Sequence, residues 1–308
     1  MQLKPTLSCE IPQDSATLSL AWSPNGEHII CGDTNGKIHL WHAQEKKLIQ
    51  TIDAHIHIIP RQPNPIIAEI RSIAWHPNSS IFASGATDSI VRLWRLGENK
   101  HFKEHRSHKD WVYSVVFSPN GQTLASSGGD DRIFIWTIDK GSQKRRIDGA
   151  AKAAITCVDW RPDGQVLAAG NRNRVIRIYP MALDENIRML RKHDQDITSV
   201  TFSKSGRFLA STSRDGIIQL WDGITYKLLK TLTAHQGRVY TAAFHPEENI
   251  LVSGGEDGRI YFWDTDSGIL QHTETAHSGM IRSIKWSPDG KEFVSAGYDK
   301  GLHFWTIN

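Results

Sequence analysis

Short segments in which apolar and small residues alternate with polar ones recur along the chain, and each closes on an aromatic residue. The plainest copy is LASTSRDGIIQLW, Leu209 to Trp221. Leu209 to Ser213 and Ile217 to Trp221 keep the period of two that gives a strand opposite faces, and Arg214-Asp215-Gly216 between them is turn chemistry, so the stretch predicts a β-hairpin. The same pattern closes at Trp41, Trp94, Trp136, Trp263 and Trp305, and in a worn form, LAAGNRNRVIRIY, at Tyr179. These closing residues lie 53 apart once, between Trp41 and Trp94, and 42 or 43 apart thereafter. A second series (Trp22, Trp75, Phe117, Trp160, Phe202, Phe244, Trp286) repeats those intervals inside short apolar strands such as Val239 to Phe244. The chain therefore reads as seven copies of one all-β unit.

Other features keep the same period. Turns after the first strand read Ser23-Pro24-Asn25-Gly26, Ser118-Pro119-Asn120-Gly121, Arg161-Pro162-Asp163-Gly164 and Ser287-Pro288-Asp289-Gly290. Proline presets the second position of such a turn and glycine closes it. His108, His193, His235 and His277 are each followed after eighteen residues by Ser126, Ser211, Ser253 and Ser295, then four later by Asp130, Asp215, Asp257 and Asp299. Trp136, Trp221, Trp263 and Trp305 complete the four sets, and two of these tryptophans stand in Trp221-Asp222 and Trp263-Asp264. A period in the low forties with these features is that of a propeller blade. Over essentially its whole length the chain resembles the WD-repeat family. The resemblance implies one seven-bladed β-propeller of four-stranded antiparallel blades spanning residues 1–308. It also implies that the His, Ser, Asp and Trp of each regular unit form a buried hydrogen-bonded chain.

The last unit stops three residues after Trp305, short of a fourth strand, while Leu3 to Cys9 precede the first unit. The N-terminal segment is expected to supply the outer strand of the final blade, which closes the ring and removes a free edge. Two units are weakly specified: the first has Gln13, Cys31 and Asn35 at the His, Ser and Asp places, and the fourth has Ala151, Ala169, Asn173 and Tyr179 at the four places. Both are expected to pack on apolar strands alone and to open first. The longer interval hides an 11-residue insertion at about 55–65, apolar and containing Pro60, Pro63 and Pro65. It reads as a stiff loop, either a local cover or part of a docking surface.

Composition changes this picture little. Lys plus Arg number 36 against 33 Asp plus Glu, a net charge of +3, and the basic residues cluster only at Lys144-Arg145-Arg146. No apolar run approaches the length of a membrane span, and the N-terminus lacks the pattern of a secretory signal. Cys9, Cys31 and Cys157 are few and odd in number, which fits reduced thiols and a cytoplasmic location, or a nuclear one in a eukaryote.

Ser, His and Asp together invite a hydrolase reading, but a catalytic set is needed once and this one recurs with a Trp at a fixed offset. Its expected role is structural, and the protein is expected not to be an enzyme. No metal is expected either: His101, His105 and His108, and His55 with His57, are close in sequence without three or four convergent ligands. No Gly-rich phosphate loop or paired-Cys motif points to a cofactor, and none is expected. Of eleven Trp, only Trp111 lies outside the two repeating series. In the family, its position and the one just before the turn Asp line the top-face entrance to the central channel, as does the residue two past the first of these. The first two positions bring together Trp111, Met280 and Tyr298, Arg172, Arg214 and Arg238, and Glu256, with Glu69 and Asp196 in the same ring. Aromatics and Arg mark interface centres. The expected function is a non-catalytic scaffold that binds partner proteins or peptides on this face. The alternatives are nucleic-acid or anionic-polymer binding through the arginines, and an enzyme or small-ligand site in the channel.

Overall fold

In the computed structural model, which describes residues 5–57, 65–139, 142–149, 152–182 and 186–307, seven four-stranded antiparallel sheets form a ring. Each innermost strand neighbours the next, and Thr17–Trp22 of blade one meets Ile281–Trp286 of blade seven. The chain is a seven-bladed propeller. Blade seven takes its outermost strand from the N-terminus: Pro5–Pro12 pairs antiparallel with Gly301–Ile307, from Pro5 opposite Ile307 to Pro12 opposite Gly301. The closing strand thus runs beyond the Leu3 to Cys9 segment expected, and Ser8 Oγ adds a 3.0 Å bond to the Phe304 carbonyl.

The core is not one mass but seven wedges, each between adjacent blades. Ile30, Ile38 and Leu40 of blade one pack on Ile70, Trp75 and Phe82 of blade two. Val294, Ala296 and Phe304 of blade seven pack on Leu20, Ile29 and Trp41 of blade one. This is why the strands of the repeat carry apolar residues on both faces, as buried strands do. At one register position the second strand runs close to the next blade, and glycine stands there in four blades: a Cβ on Gly85 would lie 2.5 Å from Val112 Cγ1, and one on Gly170 2.3 Å from Ile197 Cγ2, while Ser127, Thr212 and Ala296 hold the place in the other three.

Polar seams tie the inner strands together near the channel. Ser19, Ser72 and Ser283 hydroxyls accept the amides of Ile73 (2.9 Å), Val115 (3.0 Å) and Leu20 (3.2 Å) across three blade junctions. Thr156 and Thr198 reverse the sense, donating to the Ile197 carbonyl at 2.6 Å and the Val239 carbonyl at 2.5 Å. These bonds occupy backbone groups that no sheet partner reaches.

Candidate functional site at the channel mouth

In all seven inner strands the register with the second strand skips one residue near the start. The extra residues are Leu18, Arg71, Tyr113, Thr156, Thr198, Tyr240 and Arg282. A bulge leaves its residue unpaired and re-aims the side chain. Here all seven line one axial cavity of about 430 Å³.

A second ring lies around it. In each blade the residue before the bulged stretch offers its carbonyl to the amide of the residue before the turn Asp. Gly129 thus bonds to Trp111, Arg172 to Ala154, Arg214 to Asp196, Glu256 to Arg238 and Tyr298 to Met280, at 2.8–3.0 Å. The expected set Trp111, Arg172, Arg214, Arg238, Glu256, Met280 and Tyr298 therefore sits on one backbone-fixed rim. Trp111 is 44% and Tyr298 42% exposed, large for aromatic residues in a chain whose other Trp are mostly buried. Trp111 meets Tyr113 edge-on, with ring centroids 6.1 Å apart.

The rim arginines have partners. Arg214 lies 3.6 Å from the Asp196 carboxylate, Arg238 lies 3.9 Å from that of Glu256, and Arg172 donates to the Tyr113 hydroxyl at 2.6 Å. Of the bulge residues, Arg71 pairs with Glu69 at 3.0 Å. Arg282 differs: its guanidinium stacks on the Tyr240 ring, 4.3 Å from the centroid, and its buried Nε has no hydrogen-bond partner among the described residues. Desolvation first, then repulsion from Arg71, lowers its pKa. On the same wall desolvation raises Asp159 to about 6, with the charge of the exposed Lys285 pulling the other way. Sequence reasoning identified the bulge position as part of the entrance but did not read Arg71, Tyr113, Tyr240 and Arg282 across the units at that offset.

Below the rim stand the His, Ser, Asp and Trp sets. His193 Nδ1 donates to Asp215 at 2.9 Å, its Nε2 accepts the Ser211 hydroxyl at 2.8 Å, and the Trp221 indole donates to Ser211 at 2.9 Å, the tautomer following from the partners. His108, Ser126, Asp130 and Trp136 repeat this, as do His235, Ser253, Asp257 and Trp263, and His277, Ser295, Asp299 and Trp305. Each serine is fully buried, so its hydroxyl has no face to offer a substrate. Each Asp also accepts an amide, such as Asp194 N to Asp215 at 3.0 Å.

A fifth set escaped the sequence. His55, Ser84, Asp88 and Trp94 make the same bonds at 2.8–2.9 Å, and Arg92 adds an ion pair to Asp88 at 2.9 Å. The insertion separates His55 from Ser84 by twenty-nine residues instead of eighteen, which hides the spacing. Ile56–His57 and Ile66–Ile67 pair as two short strands at the base of this insertion; residues 58–64, the part read as a cover or a docking surface, fall outside the described residues.

Blade one corrects an expectation. It does not rest on apolar packing alone: Ser15 donates to Asp33 at 2.5 Å, His39 Nε2 lies 3.1 Å from the same carboxylate, and Asp33 accepts the amides of Asn35 and Lys37. Asp33, two residues before the Asn35 place, does the turn-capping work. Blade four has a weaker counterpart: Asn171 Oδ1, at the place of Asp33, accepts the turn amide of Val175 at 3.2 Å, but Asn173 Oδ1 and Trp160 Nε1 are buried without partners among the described residues, and Ala151 falls outside them.

Among the described side chains, the histidines of the two clusters do not converge. His105 stacks on Trp136 with centroids 4.0 Å apart, and burial pushes it down to about 4; His101 faces Glu104 at 3.5 Å, while His108 and His55 belong to their sets. The metal-like grouping among the described residues is His277, Asp299 and His303, in which His277 already uses both ring nitrogens. No helix among the described residues is long and apolar enough to cross a membrane.

Comparison with known proteins agrees with this geometry. The profile described as WD domain, G-beta repeat matches residues 46–95, 99–137, 141–179, 184–222, 226–264 and 268–306. That of the anaphase-promoting complex subunit 4 WD40 domain matches residues 9–66. Among curated relatives, Protein FIZZY-RELATED 1 of Arabidopsis thaliana is 27% identical over 62% of this chain and 38% of its own length. A subunit of chromatin assembly factor 1 of Mus musculus is 28% identical over 36% of this chain and 23% of its own. WD repeat and SOCS box-containing protein 1 of Homo sapiens is 31% identical over 35% and 24%, so the chain spans well under half of the length of these relatives.

Proposed function

The chain belongs to the WD40 repeat family, and from that premise we propose that it is a non-catalytic platform that holds a partner protein or peptide on the rim carrying Trp111, Met280 and Tyr298. The observation that carries this reading is the exposure of Trp111 and Tyr298 on a rim whose backbone is fixed blade by blade. Exposed aromatics beside arginines on a rigid frame have the composition of an interface centre, where one truncation costs about 2 kcal/mol or more. Arg172, Arg214, Arg238 and Glu256 around them favour a segment of mixed or acidic charge with an apolar anchor. One relative, the mouse chromatin assembly factor 1 protein, is by its name a subunit of an assembly.

The anionic-polymer alternative draws on the same arginines but has less support. The one outer-strand basic run is partly neutralised, with Arg146 held by Asp148 at 2.7 Å. The test is affinity capture from lysate of the native host with wild type and with the Trp111→Ala, Arg214→Glu variant, after both are found to melt alike. A protein retained by wild type and lost by the variant supports the reading; equal retention by both removes the rim as the site.

A further inference from the structure

We infer that the mouth of the channel is a seat for a phosphoryl group, held on the axis between the guanidiniums of Arg71, Arg214 and Arg282. This deepens the rim reading by naming the chemistry of the group that enters the cavity. Its test uses small anions and needs no partner, so the two readings fail separately.

The bulges make the seat. Arg71 and Arg282 are extra residues in their inner strands and are aimed at the axis from blades two and seven, and Arg214 reaches the same cavity from the turn of blade five. The three approach from well-separated directions around the ring. Five cationic side chains line the cavity (Arg71, Arg172, Arg214, Arg282, Lys285) against two carboxylates, Asp159 and Asp196.

Arg71, Arg172 and Arg214 already have partners on the rim or beside it, whereas Arg282 has an aromatic platform and a buried, unpartnered Nε. The nearest cations act on it unfavourably, since Arg71 and Arg214 add to the desolvation that depresses it. The Nε itself is enclosed, but Arg282 is only partly buried and lines the cavity, so an anion on the axis can meet the rest of its guanidinium.

The number of donors selects the ligand. A carboxylate offers two oxygens and one charge, enough for one guanidinium fork. A phosphoryl group offers three terminal oxygens and about two charges, matching forks from three sides. Tyr113 and Tyr240 stand between the arginines on the same wall. The phosphoryl group can come from a modified side chain of the bound partner or from a free polyphosphate, and both present the same oxygens.

The experiment is calorimetric titration of the full chain with inorganic pyrophosphate, for wild type, Arg282→Met, Arg71→Met and, as an outer-strand control, Arg146→Gln. Expected are saturable binding by wild type and by Arg146→Gln, and at least a tenfold loss in Arg282→Met and Arg71→Met, the equivalent of about 1.4 kcal/mol. Without anion, Arg282→Met should melt at or above wild type, because a partly buried cation repelled by Arg71 and Arg214 is removed. Absence of pyrophosphate binding by wild type, or unchanged binding by Arg282→Met, overturns the proposal. So does a drop in melting temperature of Arg282→Met alongside its lost binding, which would make Arg282 part of the fold.

Two further arms separate the sources: a peptide pool carrying phosphoserine, with serine and glutamate versions as comparisons, and inositol hexakisphosphate. Tighter binding of phosphoserine peptides than of inositol hexakisphosphate assigns the group to a partner, and the reverse order assigns it to a free ligand. Equal binding of the glutamate and phosphoserine versions overturns the phosphoryl assignment.

Discussion

The guanidinium of Arg282 lies over the ring of Tyr240, 4.3 Å from its centroid, and both residues occupy the bulge position of neighbouring inner strands. One backbone irregularity, repeated in every blade, thus places both the cation and the platform that holds it. Tyr240→Phe keeps the ring and should leave stability nearly unchanged. Tyr240→Ala removes the platform and should cost about 1 kcal/mol or more, read from denaturant midpoints.

Ring closure makes its own prediction. Because Pro5–Pro12 is the outermost strand of blade seven, deleting residues 1–12 exposes the edge of Gly301–Ile307 and unties the wedge between blades seven and one. Thermal melting should shift down by many degrees and aggregation should rise. A melting curve that matched the full chain would count against this strand as the clasp.

In the buried sets, His235→Ala leaves Ser253 and Asp257 without their shared partner. The expected loss is about 2–4 kcal/mol. His55→Ala should cost as much or more, since Asp88 and Arg92 are then left to a smaller buried network. Urea unfolding of the two variants beside wild type checks both values.

Acid should weaken the fold through the same carboxylates. Burial is the largest influence on Asp257 and pushes its pKa up, but the His235 bond, the His235 charge and two amides together hold it down at about 2. Asp130, Asp215 and Asp299 are lowered in the same way. An unfolded Asp titrates near about 3.9, so the stabilisation is present above that pH and is lost as pH falls toward about 2. Asp159 has the opposite sign: raised to about 6 by burial, it contributes stability that is lost as pH rises from about 4 to about 6. Asp159→Asn should flatten the stability profile between about pH 4 and 7 and leave the acid limb in place, which denaturant titrations across that range would read directly.

Blade four should exchange its amides first. Its outer strand, Arg188–Leu190, is three residues long, and Trp160 and Asn173 carry buried atoms without partners among the described residues. Hydrogen exchange followed by peptide mass analysis should find Ile176–Pro180 less protected than the equivalent Ile217–Asp222 of blade five. Equal protection would mean that the neighbouring wedges carry blade four.

Much of the ring was legible because the repeat fixes strand, turn and closing aromatic at one spacing, and Pro24, Pro119 and Pro288 mark the same turn each time. What was hidden shares one physical cause: a local change that preserves the bond while moving the residue. The insertion moved His55 away from Ser84, and in blade one Asp33 replaced Asn35 by reaching the turn amides from the strand. A bulge leaves no mark in a strand's apolar pattern, so although the position was recognised as part of the entrance, nothing in the pattern drew Arg71 and Arg282 together.

That a partner seats on the Trp111 and Tyr298 rim is the central claim, and photo-crosslinking from defined positions tests it most directly. A photoreactive side chain is placed singly at Trp111, at Tyr298, and at the opposite-face turns in place of Asn25 and Asn120, and the chain is irradiated in lysate of its native host. The expected result is one partner joined from positions 111 and 298 and not from 25 and 120. The same partner joined from the opposite turns, with none from the rim, would contradict it.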